Sequence, residues 1–301
     1  IMAFFYYFPL LHDPLDQAQK FCFYLLYTEW FYQDQLENFI GEFVWTGFDY
    51  LGEPSPYDIL SIAKSSYFGI IDLANLKKDR FYLYKSRWNT KEPTLYLLPH
   101  WTHPDRVGKN VPVHCYTSYD KAELFVNGKS QGIREKFKGF DPKKMPERYC
   151  LMWNDVVYQP GEIKVVAYDK SGKIAAEQTV KTAGKPAKIK LTPNKQNIMV
   201  DGKDLVFVEV EITDKDGVLC PNAQNPIFFK VEGNGALAGV CNGNPVDHTP
   251  FSAQWLRAFN GKLGVILSSP SRENGLMTLR AITKDLPEAE LKIMATPEQT
   301  E

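Results

Sequence analysis

The sequence predicts a mainly β protein with an α/β opening, and three observations carry that reading. Helical spacing of apolar residues is confined to the part before Pro93. Beyond it, runs that alternate apolar and polar residues sit between turn signals, the pattern of half-buried strands. A chain of 301 residues, 44% hydrophobic and with a formal charge of −1, has enough apolar material to bury more than one core.

From Asp13 to about Phe39, Phe21, Tyr24, Leu25 and Thr28 recur with helical spacing and charges fall between them, which predicts one or two helices. Gly41–Tyr50 (GEFVWTGFDY) reads as a short buried strand, because Phe43, Val44 and Trp45 form a bulky run bounded by glycines. After a loop rich in Pro, Ser and Tyr, Asp79–Trp88 (DRFYLYKSRW) places Phe81, Tyr84 and Trp88 on one helical face, with the helix ending near Asn89.

Strand-like runs follow at Pro112–Thr117, Lys121–Val126 and Glu162–Tyr168. Asn127-Gly128 suits a type I′ hairpin, and Pro160-Gly161 begins another turn. Short strands at this spacing predict a sandwich over 93–185. Thr182–Lys188 (TAGKPAK) is small, polar and Pro-containing, a linker composition. A second sandwich is expected over 186–301, where Leu205–Ile212 (LVFVEVEI) alternates, Asp216-Gly217 marks a turn, and Leu263–Ser268 and Leu276–Ala281 supply later strands.

Composition also limits function. The near-neutral balance has no basic stripe, which argues against a nucleic-acid partner. No stretch approaches the ~20 uncharged apolar residues of a membrane helix. Met2–Leu11 is apolar and aromatic but has neither the positive flank nor the small-residue cleavage site of a secretory signal, and Ile1 opens on a run that reads as the interior of a larger protein. The five cysteines (Cys22, Cys115, Cys150, Cys220, Cys241) form no CxxC pair and read as free thiols. His100 and His103 lack a third nearby ligand, so a structural loop is favoured over a metal site. Asn242, Asn244, Asp247 and His248 lie in a Gly-rich loop that suits an ion, a sugar or simply a turn, the last being favoured. No Walker loop, GxSxG, HExxH or GxGxxG is present, and nothing calls for a cofactor.

Trp45 is the foremost binding candidate, since an aromatic face can stack on the apolar face of a sugar ring; the competing reading of its apolar run is simple core. Glu42, Asp49 and Glu53 are nearby carboxylates, and glycoside hydrolysis uses two carboxyls ~5–10 Å apart. Surface or hydrogen-bonding roles are favoured for each of the three.

GEFVWTGFDYLGEPSPY (Gly41–Tyr57), followed by SSYFGIIDLANLKKDRFYLYKSRW (Ser65–Trp88), resembles glycoside hydrolase family 2, especially its Bacteroides-type β-galactosidases. SYDKAELFVNGKSQG (Ser118–Gly132), DGKDLVFVEVEITDKDG (Asp201–Gly217) and VEGNGALAGVCNGNP (Val231–Pro245) resemble the β-sandwich and immunoglobulin-like domains after that family's barrel. The resemblance implies that 1–92 is the end of a (β/α)8 barrel, its last strand and helix, followed by two immunoglobulin-like sandwiches. It further implies that Trp45 lines a sugar subsite beside a non-proline cis peptide, with Phe68 and Asp72 near the mouth of the site.

By the same resemblance the reaction is a retaining hydrolysis of terminal β-galactosides, with β-glucuronidase and β-mannosidase as related specificities. One Glu protonates the leaving oxygen and another attacks the anomeric carbon. Both would precede GEFVW, and Glu29, in a predicted helix, is rejected as nucleophile. The chain is therefore expected to lack the catalytic pair and to expose a sheet edge and an aromatic face, with poor solubility or partner capture as the result. A non-catalytic carbohydrate-binding or scaffold module is the alternative. A periplasmic or secreted location is implied, and oligomeric state is left open.

Overall fold

The computed structural model describes residues 26–53, 63–270 and 273–297. They form two compact units. The first holds the described residues up to Ile70 together with Lys77–Thr182, and the second holds Ile71–Leu76 and the described residues from Ala183 onward.

The first unit opens with helix α1, described over 26–35, which buries Leu26, Tyr27 and Trp30. Phe21, Tyr24 and Leu25 lie outside the described residues. Helix α2 runs Asp79–Trp88, with Asp79 in its first turn and Lys85 and Arg87 in its last, charges that complement the helix dipole. Its Leu83 and Tyr84 are buried. Phe81, Tyr84 and Trp88 do share a face, and that face borders an open groove of about 460 Å³, with Tyr84 also reaching the core. Trp30 is the hub: it meets Tyr84 edge-on at 5.3 Å and Tyr149 at 5.2 Å, while the Arg87 guanidinium lies 4.9 Å from its ring centre.

Strands β1 (Leu95–Leu98), β2 (Val113–Thr117), β3 (Lys121–Val126) and β4 (Lys129–Glu135) come next, then the short helix α3 (Met145–Tyr149), β5 (Cys150–Trp153), β6 (Glu162–Tyr168) and β7 (Ile174–Lys181). They build two antiparallel sheets, ordered β1-β2-β5 and β4-β3-β6-β7. Ala122, Leu124 and Val126 of β3 pack with Val113, Cys115, Leu151 and Trp153 in one core. Tyr116 and Cys150, the alternate residues of β2 and β5, join Trp30, Leu83 and Tyr84 in another. The three-stranded sheet is thus covered on both faces, which explains why β2 shows almost continuous burial. Between β3 and β4, Asn127 (φ 48°) and Gly128 (φ 79°) both take the left-handed conformation, and Val126 pairs with Lys129 as a two-residue type I′ turn requires.

The second unit contains β8 (Lys188–Pro193), β9 (Asn197–Met199), β10 (Leu205–Thr213), β11 (Pro226–Gly233), β12 (Ala236–Cys241), β13 (Trp255–Arg257), β14 (Lys262–Ser268), β15 (Gly275–Ile282) and β16 (Ala289–Thr296). A four-stranded sheet, β12-β14-β10-β8, faces a five-stranded sheet, β13-β11-β15-β16-β9. Val206, Val208, Val210 and Ile212 alternate inward along β10 and pack with Leu263, Val265 and Leu267 against Ile227, Leu279 and Ile293 of the opposite sheet. All pairings are antiparallel except β9 with β16. The protein is mainly β, as the alternation predicts.

One element differs from expectation. Gly41–Tyr50 is extended without forming a buried strand: Phe43 is fully exposed and Trp45 is 57% exposed. Among the described residues no strand lies beside 41–45, so this bulky apolar run has no ladder partner, and of its three large residues only Val44 packs against the core around Trp30. Cys115, Cys150, Cys220 and Cys241 are unbridged, as the spacing suggested, and Cys22 lies outside the described residues.

Candidate functional site

Two chain segments of the first unit lie antiparallel around Trp45. The carbonyl of Thr46 accepts from the Ile70 amide at 3.1 Å, that of Tyr50 from the Ser66 amide at 2.9 Å, and that of Lys64 from the Gly52 amide at 3.2 Å. Ser66, fully buried, adds its hydroxyl oxygen as acceptor for the Tyr50 amide at 3.2 Å. Trp45 enters these paired arms through a cis peptide to Thr46, and its ring meets Tyr50 edge-on at 6.2 Å. Phe68, half-buried, stacks with Tyr67 in the opposite arm at 6.2 Å. The pairing brings the segments that carry Trp45 and Phe68 together.

Asp72 stands apart from them in the chain's organisation, because Ile71–Leu76 belongs to the second unit. There its Oδ1 accepts from the amides of Ala74 at 2.8 Å and Leu76 at 2.9 Å, an Asx turn. Oδ2 lies so near Gly243 that a Cβ on that glycine would come within 2.2 Å of it.

Each nearby carboxylate has a structural occupation. Glu42 accepts from the Trp30 indole N–H at 2.5 Å and from Gln33 Nε2 at 2.6 Å, tying the segment before Trp45 to α1. Desolvation, and after it the charge of Glu42, raise the Glu29 carboxyl above its usual range. Asp49 is only 6% exposed; it pairs with Lys78 Nζ at 2.6 Å and accepts from the Gly69 amide at 2.8 Å. Burial raises its carboxyl despite the opposing pull of Lys78 and Gly69. Glu53 accepts the Tyr50 hydroxyl, which holds that phenol above its ordinary range.

The other polar clusters also close on themselves. The His100 and His103 rings stack at 4.4 Å, and His103 Nε2 donates to the His100 carbonyl at 2.8 Å. Asn242 is buried, donating to Asp247 Oδ2 at 2.7 Å and to the Arg257 carbonyl at 2.9 Å, while Asn244 and Asp247 accept amides of their own loop. The loop is a braced turn. Among the described residues no group of three or more His, Cys, Asp or Glu converges to hold a metal, and no helix is long and apolar enough to cross a membrane.

Sequence reasoning missed the Asp49–Lys78 pair and the Glu42–Trp30 contact. Nothing local announces either, because the partners are far apart along the chain and meet only when α1 and the paired arms pack.

The comparisons extend the geometry. Residues 189–292 match the family model "Glycoside hydrolase family 2 C-terminal domain 5", and residues 108–176 match a domain of unknown function, DUF4982. The chain is similar to β-galactosidase BoGH2A of Bacteroides ovatus, 46% identical over 85% of this chain and 28% of that protein. It is similar also to a β-glucuronidase of Formosa agariphila, 27% identical over 60% of this chain and 17% of that one. A crystal structure of a β-glycosidase from Bacteroides vulgatus superposes with a TM-score of 0.81 at 34% identity, covering 96% of this chain and 37% of that one. The chain thus spans under a third of the length of these two curated relatives. With its two β-sandwiches, its GEFVW segment and these matches, the chain belongs to glycoside hydrolase family 2 and corresponds to the C-terminal part of the family's longer members.

Proposed function

We propose that this chain contributes one wall of the sugar site of a retaining exo-β-galactosidase. The single observation carrying this is Trp45: a large indole left more than half exposed at the end of a hydrogen-bonded pair of arms, in a chain 46% identical to a β-galactosidase. Such a ring offers a flat apolar face to the C–H face of a sugar, and the arms hold it still.

In this reading residues up to 92 are the last strand and helix of a (β/α)8 barrel, and 93–185 and 186–301 are immunoglobulin-like sandwiches that follow it in the chain. The acid/base Glu and the nucleophilic Glu stand on preceding barrel strands, outside this sequence, and act by protonating the leaving oxygen and by forming a glycosyl-enzyme. Glu42 and Asp49 are not that pair, since their oxygens are committed to Trp30, Gln33, Lys78 and Gly69. Phe68 is carried on the arm paired with that of Trp45, and Asp72 shapes the turn that follows. The partner is a carbohydrate ending in β-galactose, met in the periplasm or outside the cell.

The test is hydrolysis of 4-nitrophenyl β-galactoside, β-glucuronide and β-mannoside by this chain and by a longer gene product that includes it. Turnover of the galactoside by the longer protein alone is the expected result. Turnover by this chain, abolished in Glu29→Gln or Glu42→Gln, would refute the placement of the catalytic pair. Preference for the glucuronide would transfer the reading to the specificity of the Formosa relative. Glycan binding by residues 93–301 alone would favour a carbohydrate-binding module instead.

A further inference from the structure

The geometry points to Asp49 and Lys78 as positioning residues that set where the Trp45 and Phe68 segments stand. This rests on the reading of Trp45 as a sugar platform, but the placement itself is separately testable.

Three connections converge on the pair. Asp49 lies on the arm that begins at Trp45, and one of its oxygens accepts the Gly69 amide, next to Phe68. Its other oxygen meets Lys78 Nζ at 2.6 Å. Lys78 in turn donates through Nζ to the carbonyl of Tyr67 at 3.1 Å, and through its own amide to the carbonyl of Ile70 at 2.9 Å. One ammonium and one carboxylate therefore join both arms to the residue immediately preceding α2. The backbone bonds between the arms set their register; the ion pair fixes the arms against the helix.

Geometry also limits what else the pair can do. The Asp49 carboxylate is almost wholly enclosed, so it is not a group that meets substrate. A buried ion pair is a poor device for stability alone, because desolvation offsets most of its attraction, and its best-attested use is to select one arrangement among several. Here the arrangement selected is that of the two paired segments that carry Trp45 and Phe68.

The experiment uses the full chain with its six tryptophans replaced by 5-fluorotryptophan. Trp45→Phe assigns the Trp45 fluorine resonance. Lys78→Met is expected to move that resonance by more than its linewidth while leaving those of Trp153 and Trp255, in the sandwiches, in place; Lys78→Arg should return it. The double variant Asp49→Asn with Lys78→Met removes the orphaned carboxylate and should show the same displacement, which separates loss of the clamp from the penalty of an unpaired charge. A Trp45 resonance that stays put in both variants overturns the proposal. Methyl β-galactoside, added to the longer gene product labelled in the same way, then tests the underlying reading: if it moves the wild-type Trp45 resonance there, Lys78→Met should weaken the response at least tenfold, and an unchanged affinity would count against positioning. A wild-type resonance indifferent to the sugar sinks the platform reading, while the displacement measurement still decides the clamp.

Discussion

Replacing Glu42 with Leu should destabilise the first unit by about 3 kcal/mol, and the figure follows from what the carboxylate holds. Trp30 is fully buried, and its indole N–H donates to Glu42 Oε1 at 2.5 Å. A buried donor left without an acceptor costs roughly 1–3 kcal/mol, and a hydrogen bond to a charged group contributes about 1.5–3 kcal/mol. Gln33, half-buried, can turn its amide to water and recover part of its loss. For a unit of this size each kcal/mol moves the melting temperature by about 2–4 °C, so Glu42→Leu should melt roughly 6–12 °C below the parent. Glu42→Gln keeps a carbonyl for Trp30 and should cost about 1 kcal/mol. The assay is thermal unfolding followed by tryptophan fluorescence. A Glu42→Leu melting point within 2 °C of the parent, or a Glu42→Gln variant as unstable as the leucine one, would refute the reasoning, the threshold being the lower end of that same conversion of about 2 °C per kcal/mol.

Four further outcomes are expected. Burial first, and the adjacent His103 second, hold His100 down at about 4. A histidine whose folded value lies below its unfolded value near 6.5 contributes fully above about pH 6.5 and loses that contribution as pH falls toward 4; because the residue as a whole is only partly shielded from solvent, the loss stays at about 1 kcal/mol, and His100→Gln should flatten the melting temperature across that window. Gly261→Ala should cost at least about 2 kcal/mol, read as the urea midpoint of the second unit, because φ is +76° and the new Cβ would lie 2.3 Å from the Cys220 carbonyl oxygen. Leu279→Ala, at a fully buried position in the same core, should cost about 3 kcal/mol in the same measurement. Trp45→Ala should shift stability by under about 1 kcal/mol while abolishing any galactoside response, since more than half of the ring is exposed.

Strands with a clean period of two were legible almost to the residue. Lys121–Val126 and Glu162–Tyr168 have the predicted bounds, and the Asn127-Gly128 turn has both positive φ values. Their burial pattern is local, so a short window carries it. Asn260-Gly261 bears the same hairpin signal and went unread, though Phe259 and Lys262 exchange both backbone hydrogen bonds across it. Gly41–Tyr50 failed for the opposite reason: bulky apolar residues make a strand only where a neighbour supplies the ladder, and composition cannot show a neighbour. β1 and β5, four residues each, are too short to display any period. At the site, the sequence singled out Trp45 by residue type and family resemblance. The clamp between Asp49 and Lys78 was invisible because ion pairing across distant residues depends on packing that no motif encodes.

The parallel pairing of β9 with β16 has a consequence for synthesis on the ribosome. Ile198, fully buried in the finished core, sits on a three-residue strand whose pairing partner is Ala289–Thr296, with nearly the whole sandwich translated in between. A nascent chain can assemble β10 with β8 and β14 early, yet β9 must wait, together with the far edge of β15, until β16 clears the exit tunnel. For that interval the half-made sheet offers an open edge to any strand or chaperone nearby. A translation product halted before Ala289 should consequently be captured or degraded as a misfolded polypeptide, and not persist as a smaller, stable sandwich.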